Sequence, residues 1–362
     1  MVTDFDERWR ALTANLDRTV FWQERGTPAS LFRRLADAAE EFDLTEWDIY
    51  GERGAVARLE AEVAELLGTE AAVLFPSGTM AQQCTLRVWC DRAGTRRIAM
   101  PDLSHLLTHE ADGPRRLHGF EIERLTTGRT TPTREALDAV PGRLGAVLVE
   151  LPLRDAGCLL PTWEELTALS EAARERGVPL HADGARLWEV APALERSLPE
   201  IVSQLDSVYV SLYKGLAAPS GALVACADDV ADELRVWRKR HGGSLYRLTT
   251  QAVGGLLGLR DELPRMGEYL AWARSLATEL EHRGFRVDGP HIATFEVYAE
   301  GNRAEANERV LAVAAREGIV VSPLWRDADT PSWLVNELAC HGPATAYEPA
   351  RVADWFAEVF TG

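Results

Sequence analysis

Two residues in this sequence have the types and the setting for one particular chemistry. Lys214 follows the apolar run Ser207-Val-Tyr-Val-Ser-Leu-Tyr213 and opens Gly215-Leu-Ala-Ala-Pro-Ser-Gly221, a turn of small residues with few other charges. Asp183 follows Val178-Pro-Leu-His-Ala182 and precedes Gly184-Ala-Arg186. A lysine amine condenses with the aldehyde of pyridoxal 5′-phosphate (PLP), and a carboxylate paired with the ring nitrogen keeps that ring protonated as an electron sink. The same cofactor needs a phosphate cradle. Phe75-Pro-Ser77-Gly78-Thr79 supplies one, because a β-like run ends in Ser-Gly-Thr and opens into Met80-Ala-Gln-Gln-Cys-Thr-Leu86, offering hydroxyls and helix N-terminal amides to a dianion. Along the chain the order is cradle, acid, amine.

Taken singly, each of these residues has an ordinary alternative. Lysines usually end solvated in turns, Asp-Gly is a common turn pair, and small polar residues open many helices. The combination and its order favour the cofactor reading. His105 and His109 stand at i, i+4 with Glu110 next, which would present two imidazoles on one helical face. No third ligand follows at a matching spacing, so no metal is expected. Neither GxGxxG nor GxSxG occurs, which removes the dinucleotide and hydrolase readings.

These residues must be held by elements that the patterning predicts. Val56, Leu59, Val63, Leu66 and Leu67 recur at helical spacing before Gly68, a C-terminal cap. Strands then alternate with helices: strands are predicted at 71–75, 98–100, 121–125, 146–151, 179–182, 207–211 and 222–225, and helices at 78–90, 106–110 and 134–140. A capping box, Thr162-Trp-Glu-Glu165, starts a helix that Gly177 closes. Such alternation predicts an α/β fold with a mostly parallel sheet covered on both faces, and ligands of such sheets collect at the strands' carboxyl ends. Ser77, Asp183 and Lys214 all fall there. A helical stretch over 228–282 leads to a smaller α+β region with strands at 285–287, 294–298, 319–322 and 333–338 and helices at 304–316 and 349–359. The division expected is a helical N-terminal arm over 1–44 (carrying Trp9, Phe21, Trp22, Phe32 and Phe42), a large α/β domain over 45–250 and a small α+β domain over 251–362. The arm is either a partner-subunit contact or a solvated helical cap.

The 362 residues are long enough for two domains, and 46% hydrophobic with 26% charged residues is ordinary for a globular protein. A net charge of −17 disfavours nucleic acid as a partner. Five scattered cysteines without CxxC spacing read as buried thiols. The N-terminus lacks a basic region followed by an apolar core, and no run approaches membrane-spanning length, so a cytoplasmic address and no membrane partner are expected.

With these residues in place the chain resembles the low-specificity L-threonine aldolases and related β-eliminating lyases among the fold type I PLP enzymes. The resemblance rests on Asp48-Ile-Tyr50-Gly-Glu52, Pro76-Ser-Gly-Thr-Met-Ala81, Leu103-Ser-His105 through Glu110, His181-Ala-Asp-Gly-Ala-Arg186, Lys214-Gly-Leu-Ala-Ala-Pro-Ser-Gly221 and Trp237-Arg-Lys-Arg-His-Gly-Gly243. It implies an aspartate aminotransferase-like large domain, and a lyase that cleaves Cα–Cβ of a β-hydroxy amino acid to glycine and an aldehyde. It assigns the cofactor linkage to Lys214, the ring nitrogen to Asp183, ring stacking to His105, the phosphate to Ser77, Gly78 and Thr79, and the substrate carboxylate to Arg186. It also implies a homodimer or homotetramer, with Tyr50 and the Gly242-Gly243 turn as candidate cross-subunit contacts, and Tyr50 and Arg326 are expected beside Arg186 as substrate-binding residues.

The chain departs from the family at substrate positions. After Glu150, where the family carries Asn-Thr-His, stands Leu151-Pro152-Leu153, so a histidine is missing. Trp333 replaces an arginine, Tyr213 the serine before the lysine, and Tyr246, beside Arg247, a further arginine. His105, Arg326 or a water are the candidates to replace the lost groups. With cofactor residues kept and substrate residues changed, threonine and a bulkier or more aromatic β-hydroxy amino acid both stand as candidate substrates. Transaldolase, aminotransferase, β-elimination and a PLP-binding protein without turnover are the alternatives.

Overall fold

The computed structural model describes residues 4–14, 16, 18–21 and 27–360; Trp22 lies outside the described residues, as do Met1, Val2 and Thr3. The chain forms two compact units, Arg33–Pro264, and Met1–Phe32 together with Arg265–Gly362.

The larger unit is built on seven strands: β1 (Ala71–Phe75), β2 (Arg97–Met100), β3 (Glu121–Arg124), β4 (Ala146–Glu150), β5 (Leu180–Gly184), β6 (Ser207–Ser211) and β7 (Ala222–Cys226). Their order is β1-β7-β6-β5-β4-β2-β3. Every residue of β1, β4, β5, β6 and β7 is buried, the burial expected of strands covered on both faces. The pairs among β2 to β6 are parallel, while β7 runs antiparallel to both β1 and β6. The short Leu212–Gly221 connection explains that reversal, since a parallel return needs a crossover of a dozen or more residues. Predicted caps are observed: Gly68 sits at φ 69° after the helix Gly54–Leu67, and Thr162 and Glu165 form a reciprocal capping box before Trp163–Glu175.

The smaller unit carries an antiparallel sheet, β10-β11-β9-β8, from β8 (Arg286–Asp288), β9 (Thr294–Glu300), β10 (Arg326–Asp327) and β11 (Trp333–Ala339). Phe285, Phe295, Trp325, Trp355 and Phe356 fill its core against the helices Met266–His282 and Pro349–Phe360. The strand expected over 319–322 is reduced to one bridge, Thr19 to Val320, flanked by Val20 N–H to the Val320 carbonyl (3.1 Å) and Val320 N–H to the Arg18 carbonyl (3.0 Å).

That bridge ties the N-terminal residues to the smaller unit. Phe21 is buried edge-on to Trp272 and Phe356, and Arg8 pairs with Glu308 at 2.5 Å. The stretch therefore clusters with the C-terminal residues and not as an arm ending at residue 44. The other division falls at Pro264/Arg265, beyond the expected residue 250, because the helix Thr249–Asp261 packs on Gly54–Leu67 and stays with the larger unit. Among the described residues no helix is long and apolar enough to cross a membrane.

Candidate active site

Strand alternation puts His181 and Asp183 on one face of β5. His181 is fully buried between Gln82 (2.7 Å to Oε1) and the Ser207 hydroxyl (2.9 Å), and burial pushes its imidazole down to about 3, so it is a neutral tie. Gln82 belongs to the helix Gly78–Ala93, so this contact lays that helix across β5 with its N-terminus toward Asp183. Ser77 caps it, its hydroxyl accepting the Met80 N–H at 3.3 Å. Gly78 is required there: a Cβ would lie 2.2 Å from the Tyr209 hydroxyl. The resulting cleft is lined by Gly78, Thr79, His105, Asp183, Arg186 and Lys214, with Glu110, Glu150, Arg154, Tyr209 and Tyr213. Six of the residues singled out from sequence thus meet, and Ser77 stands at their edge.

Lys214 is held by a compact loop. The Leu212 N–H donates to the Gly221 carbonyl (3.1 Å) and the Ala218 N–H to the Leu212 carbonyl (3.0 Å), while Ala217 takes a left-handed φ of 57°. The helix Thr249–Asp261 backs this loop so closely that a Cβ on Gly258 would lie 2.1 Å from the Leu216 carbonyl oxygen. Asp48 fixes the start of that helix: its buried carboxylate accepts the Leu248 N–H (2.8 Å) and the Thr249 hydroxyl. The Asp48-Ile-Tyr50-Gly-Glu52 motif therefore supports the lysine loop from behind. Tyr50 itself, more than half exposed and edge-on to Tyr246, lines a separate groove with Arg53, Arg235, Lys239 and Gly242. Arg326 is exposed on β10 in the other unit.

Charge in the cleft is arranged by burial. Burial, and then the Arg186 guanidinium, hold the Lys214 ammonium below its ordinary range, against Asp183 and Glu150, which favour it. In parallel register Glu150 lies directly beside Asp183. Burial, and then the charge of Asp183, push the Glu150 carboxyl up to about 8, while its Oε1 accepts the His105 N–H at 2.6 Å. Burial also raises Asp183, but Lys214 and the Ala185 N–H (3.0 Å) pull it back, so Glu150 is the member of the pair that keeps a proton. His105 Nδ1 stands 3.4 Å from Glu110, itself held by the Gln83 amide at 2.8 Å. His109 is turned to Asp155 (2.8 Å).

Glu150 and Arg154 were not singled out from the sequence. An acid closing the apolar run Ala146-Val-Leu-Val149 was a visible signal for Glu150, since a carboxyl at a buried strand end needs a reason. Arg154 gave none, because its direction depends on how the following turn folds.

The donor set fits PLP on three observations: an amine kept below its ordinary range at Lys214, a buried carboxylate at Asp183 able to pair with a ring N–H, and a capped helix N-terminus where glycine alone leaves room. Comparisons agree with this chemistry. Residues 34–300 match the family described as beta-eliminating lyase. The low-specificity L-threonine aldolase of Escherichia coli (strain K12) is 30% identical over 66% of this chain and 73% of its own, and low-specificity L-threonine aldolase 1 of Arabidopsis thaliana is 28% identical over 72% and 76%. A crystal structure from Listeria monocytogenes EGD-E, provisionally assigned as an L-allo-threonine aldolase, superposes with a TM-score of 0.89 at 32% identity over 98% of both chains. The chain belongs to the beta-eliminating lyase family and is a PLP-dependent lyase.

Proposed function

We propose that this lyase cleaves the Cα–Cβ bond of a β-hydroxy amino acid, releasing glycine and an aldehyde. The observation that carries the reading is the meeting of Lys214, Asp183 and the Ser77-Gly78-Thr79 helix start in one cleft. When bound, PLP supplies the sink for the electron pair that the broken bond leaves on Cα. Lys214 provides the amine, and its depressed affinity for a proton raises the share of the nucleophilic form at neutral pH. Asp183 accepts the ring N–H. Ser77, Gly78 and Thr79 hold the phosphate at the helix N-terminus. Arg186 holds the α-carboxylate, for which a planar guanidinium is suited.

His105 takes the proton from the β-hydroxyl. Glu110, 3.4 Å from its Nδ1, orients the ring and stabilises the charge it gains. This assignment fills the gap left by Leu153, which is fully buried and has no titratable group. We further infer a homodimer or homotetramer, because Ile49, Tyr50, Val236 and Tyr246 are large apolar side chains left exposed near the Gly242-Gly243 turn.

The experiment is visible absorption of the protein with PLP, for the wild type and Lys214→Ala, followed by glycine and aldehyde detection on adding L-threonine and other β-hydroxy amino acids. A band that depends on Lys214, with equimolar glycine and aldehyde, is the expected result. A Lys214-dependent band with no aldehyde from any β-hydroxy amino acid overturns the aldol reading.

A further inference from the structure

We propose that Arg154 makes this cleft selective for β-hydroxy amino acids carrying a second, distal carboxylate, of which 3-hydroxyaspartate is the smallest. The proposal rests on the aldol reading above and names its substrate class.

At the position where a histidine is expected, Leu153 turns into the core and bridges to Leu159, and the next residue opens the turn Arg154–Ala156 with its side chain lining the cleft beside Lys214, Asp183 and Arg186. Asp155 fixes its direction: Arg154 Nη1 lies 3.0 Å from one carboxylate oxygen of Asp155, and His109 Nε2 lies 2.8 Å from the other. A guanidinium has five donors in a planar fork, so it can serve Asp155 and a second acceptor together.

The cleft therefore holds two guanidiniums within a chain of net charge −17. Arg154 keeps its bond to Asp155 while lining the cleft, and a carboxylate at the far end of the substrate is the group that its planar fork suits. The cofactor phosphate is not that anion: Gly78 of the cradle packs on Tyr209 of β6, whereas Arg154 follows β4, on the other side of β5 and its Asp183.

The reaction balances without a co-reactant. The β-hydroxyl of 3-hydroxyaspartate loses its proton, Cα–Cβ breaks with its electron pair going to Cα, a proton returns to Cα to give glycine, and Cβ leaves as the aldehyde carbon of glyoxylate.

Two measurements on the PLP-loaded enzyme test this. The first compares kcat/KM for 3-hydroxyaspartate and L-threonine in the wild type, Arg154→Gln and Arg154→Lys. The expected wild-type ratio is ten or more in favour of 3-hydroxyaspartate, falling at least tenfold in Arg154→Gln and partly restored in Arg154→Lys, which keeps the charge and loses the fork. The second compares the rise in unfolding temperature given by L-aspartate with that given by L-alanine, neither of which has a β-hydroxyl; the excess for aspartate should vanish in Arg154→Gln. Threonine cleavage with no preference for 3-hydroxyaspartate overturns the proposal and leaves the aldol reading intact. If neither substrate is cleaved, the proposal is overturned, and the aldol reading falls with it only when no other β-hydroxy amino acid yields an aldehyde; an aspartate excess that is missing or indifferent to Arg154 overturns the proposal separately.

Discussion

At the scale of single residues, the cleft is governed by which of two adjacent carboxyls is ionised. Glu150 is fully buried beside the charge of Asp183, with the His105 and Arg154 N–H groups and the Ser104 hydroxyl acting the other way, whereas Asp183 faces Lys214. The folded protein therefore retains a proton on Glu150 across the window between its ordinary value of 4.5 and about 8, where the unfolded chain has lost it. Stability from this group is complete below the lower value and is lost as pH rises through the upper one. Glu150→Gln still accepts the His105 N–H but has no proton to lose, so its urea midpoint should fall less than that of the wild type between those two pH values. Equal declines in the two proteins would remove Glu150 as the protonated partner. Asp183→Asn should lower kcat at least a hundredfold while leaving the Lys214-dependent band in place, because asparagine does not keep the ring nitrogen protonated; full activity would break the assignment.

At the scale of elements, two helices aim the chemistry. Gly78–Ala93 is anchored across β5 by Gln82 and His181, and Thr249–Asp261 presses on the lysine loop through a glycine face. The second contact is backbone against backbone, so there is no flexible side chain to move aside. Gly258→Ala removes a glycine from a helix, which alone favours the helix by about 1 kcal/mol, yet the 2.1 Å approach to the Leu216 carbonyl forces the loop or the helix to shift. Overpacking of this kind costs about 1 to 3 kcal/mol. Net destabilisation in a denaturant titration, with weaker PLP retention, is the expected outcome; a stabilised variant with unchanged PLP affinity would mean that the helix does not set the position of Lys214.

At the scale of the whole molecule, the smaller unit is assembled from both ends of the chain. Phe21 sits 3% exposed against Trp272 and Phe356, so truncating it to alanine leaves a cavity worth about 3 kcal/mol. Phe21→Ala should show that loss in chemical denaturation, with faster amide exchange in Met266–His282 and Pro349–Phe360 than in the seven-stranded sheet. A loss below about 1 kcal/mol would mean that the N-terminal stretch is only draped on that unit.

By itself the sequence determined the mostly parallel sheet, the caps at Gly68 and Thr162, and the placing of Gly78, Asp183 and Lys214 where they could meet, because these depend on local periodicity and on polar residues concentrated at strand ends. It also located where family residues are missing, at Leu153 and Trp333. Tertiary structure decided what depends on register and packing between distant segments. Glu150 became a partner of Asp183 only when β4 lay beside β5, Arg154 entered the cleft only through the turn after Leu153, and Asp48 proved to cap a helix two hundred residues away. The N-terminal stretch joined the C-terminal unit, and the predicted strand over 319–322 shrank to one bridge, for the same reason: such pairings are set by the partner's position in space, which periodicity along one segment does not encode.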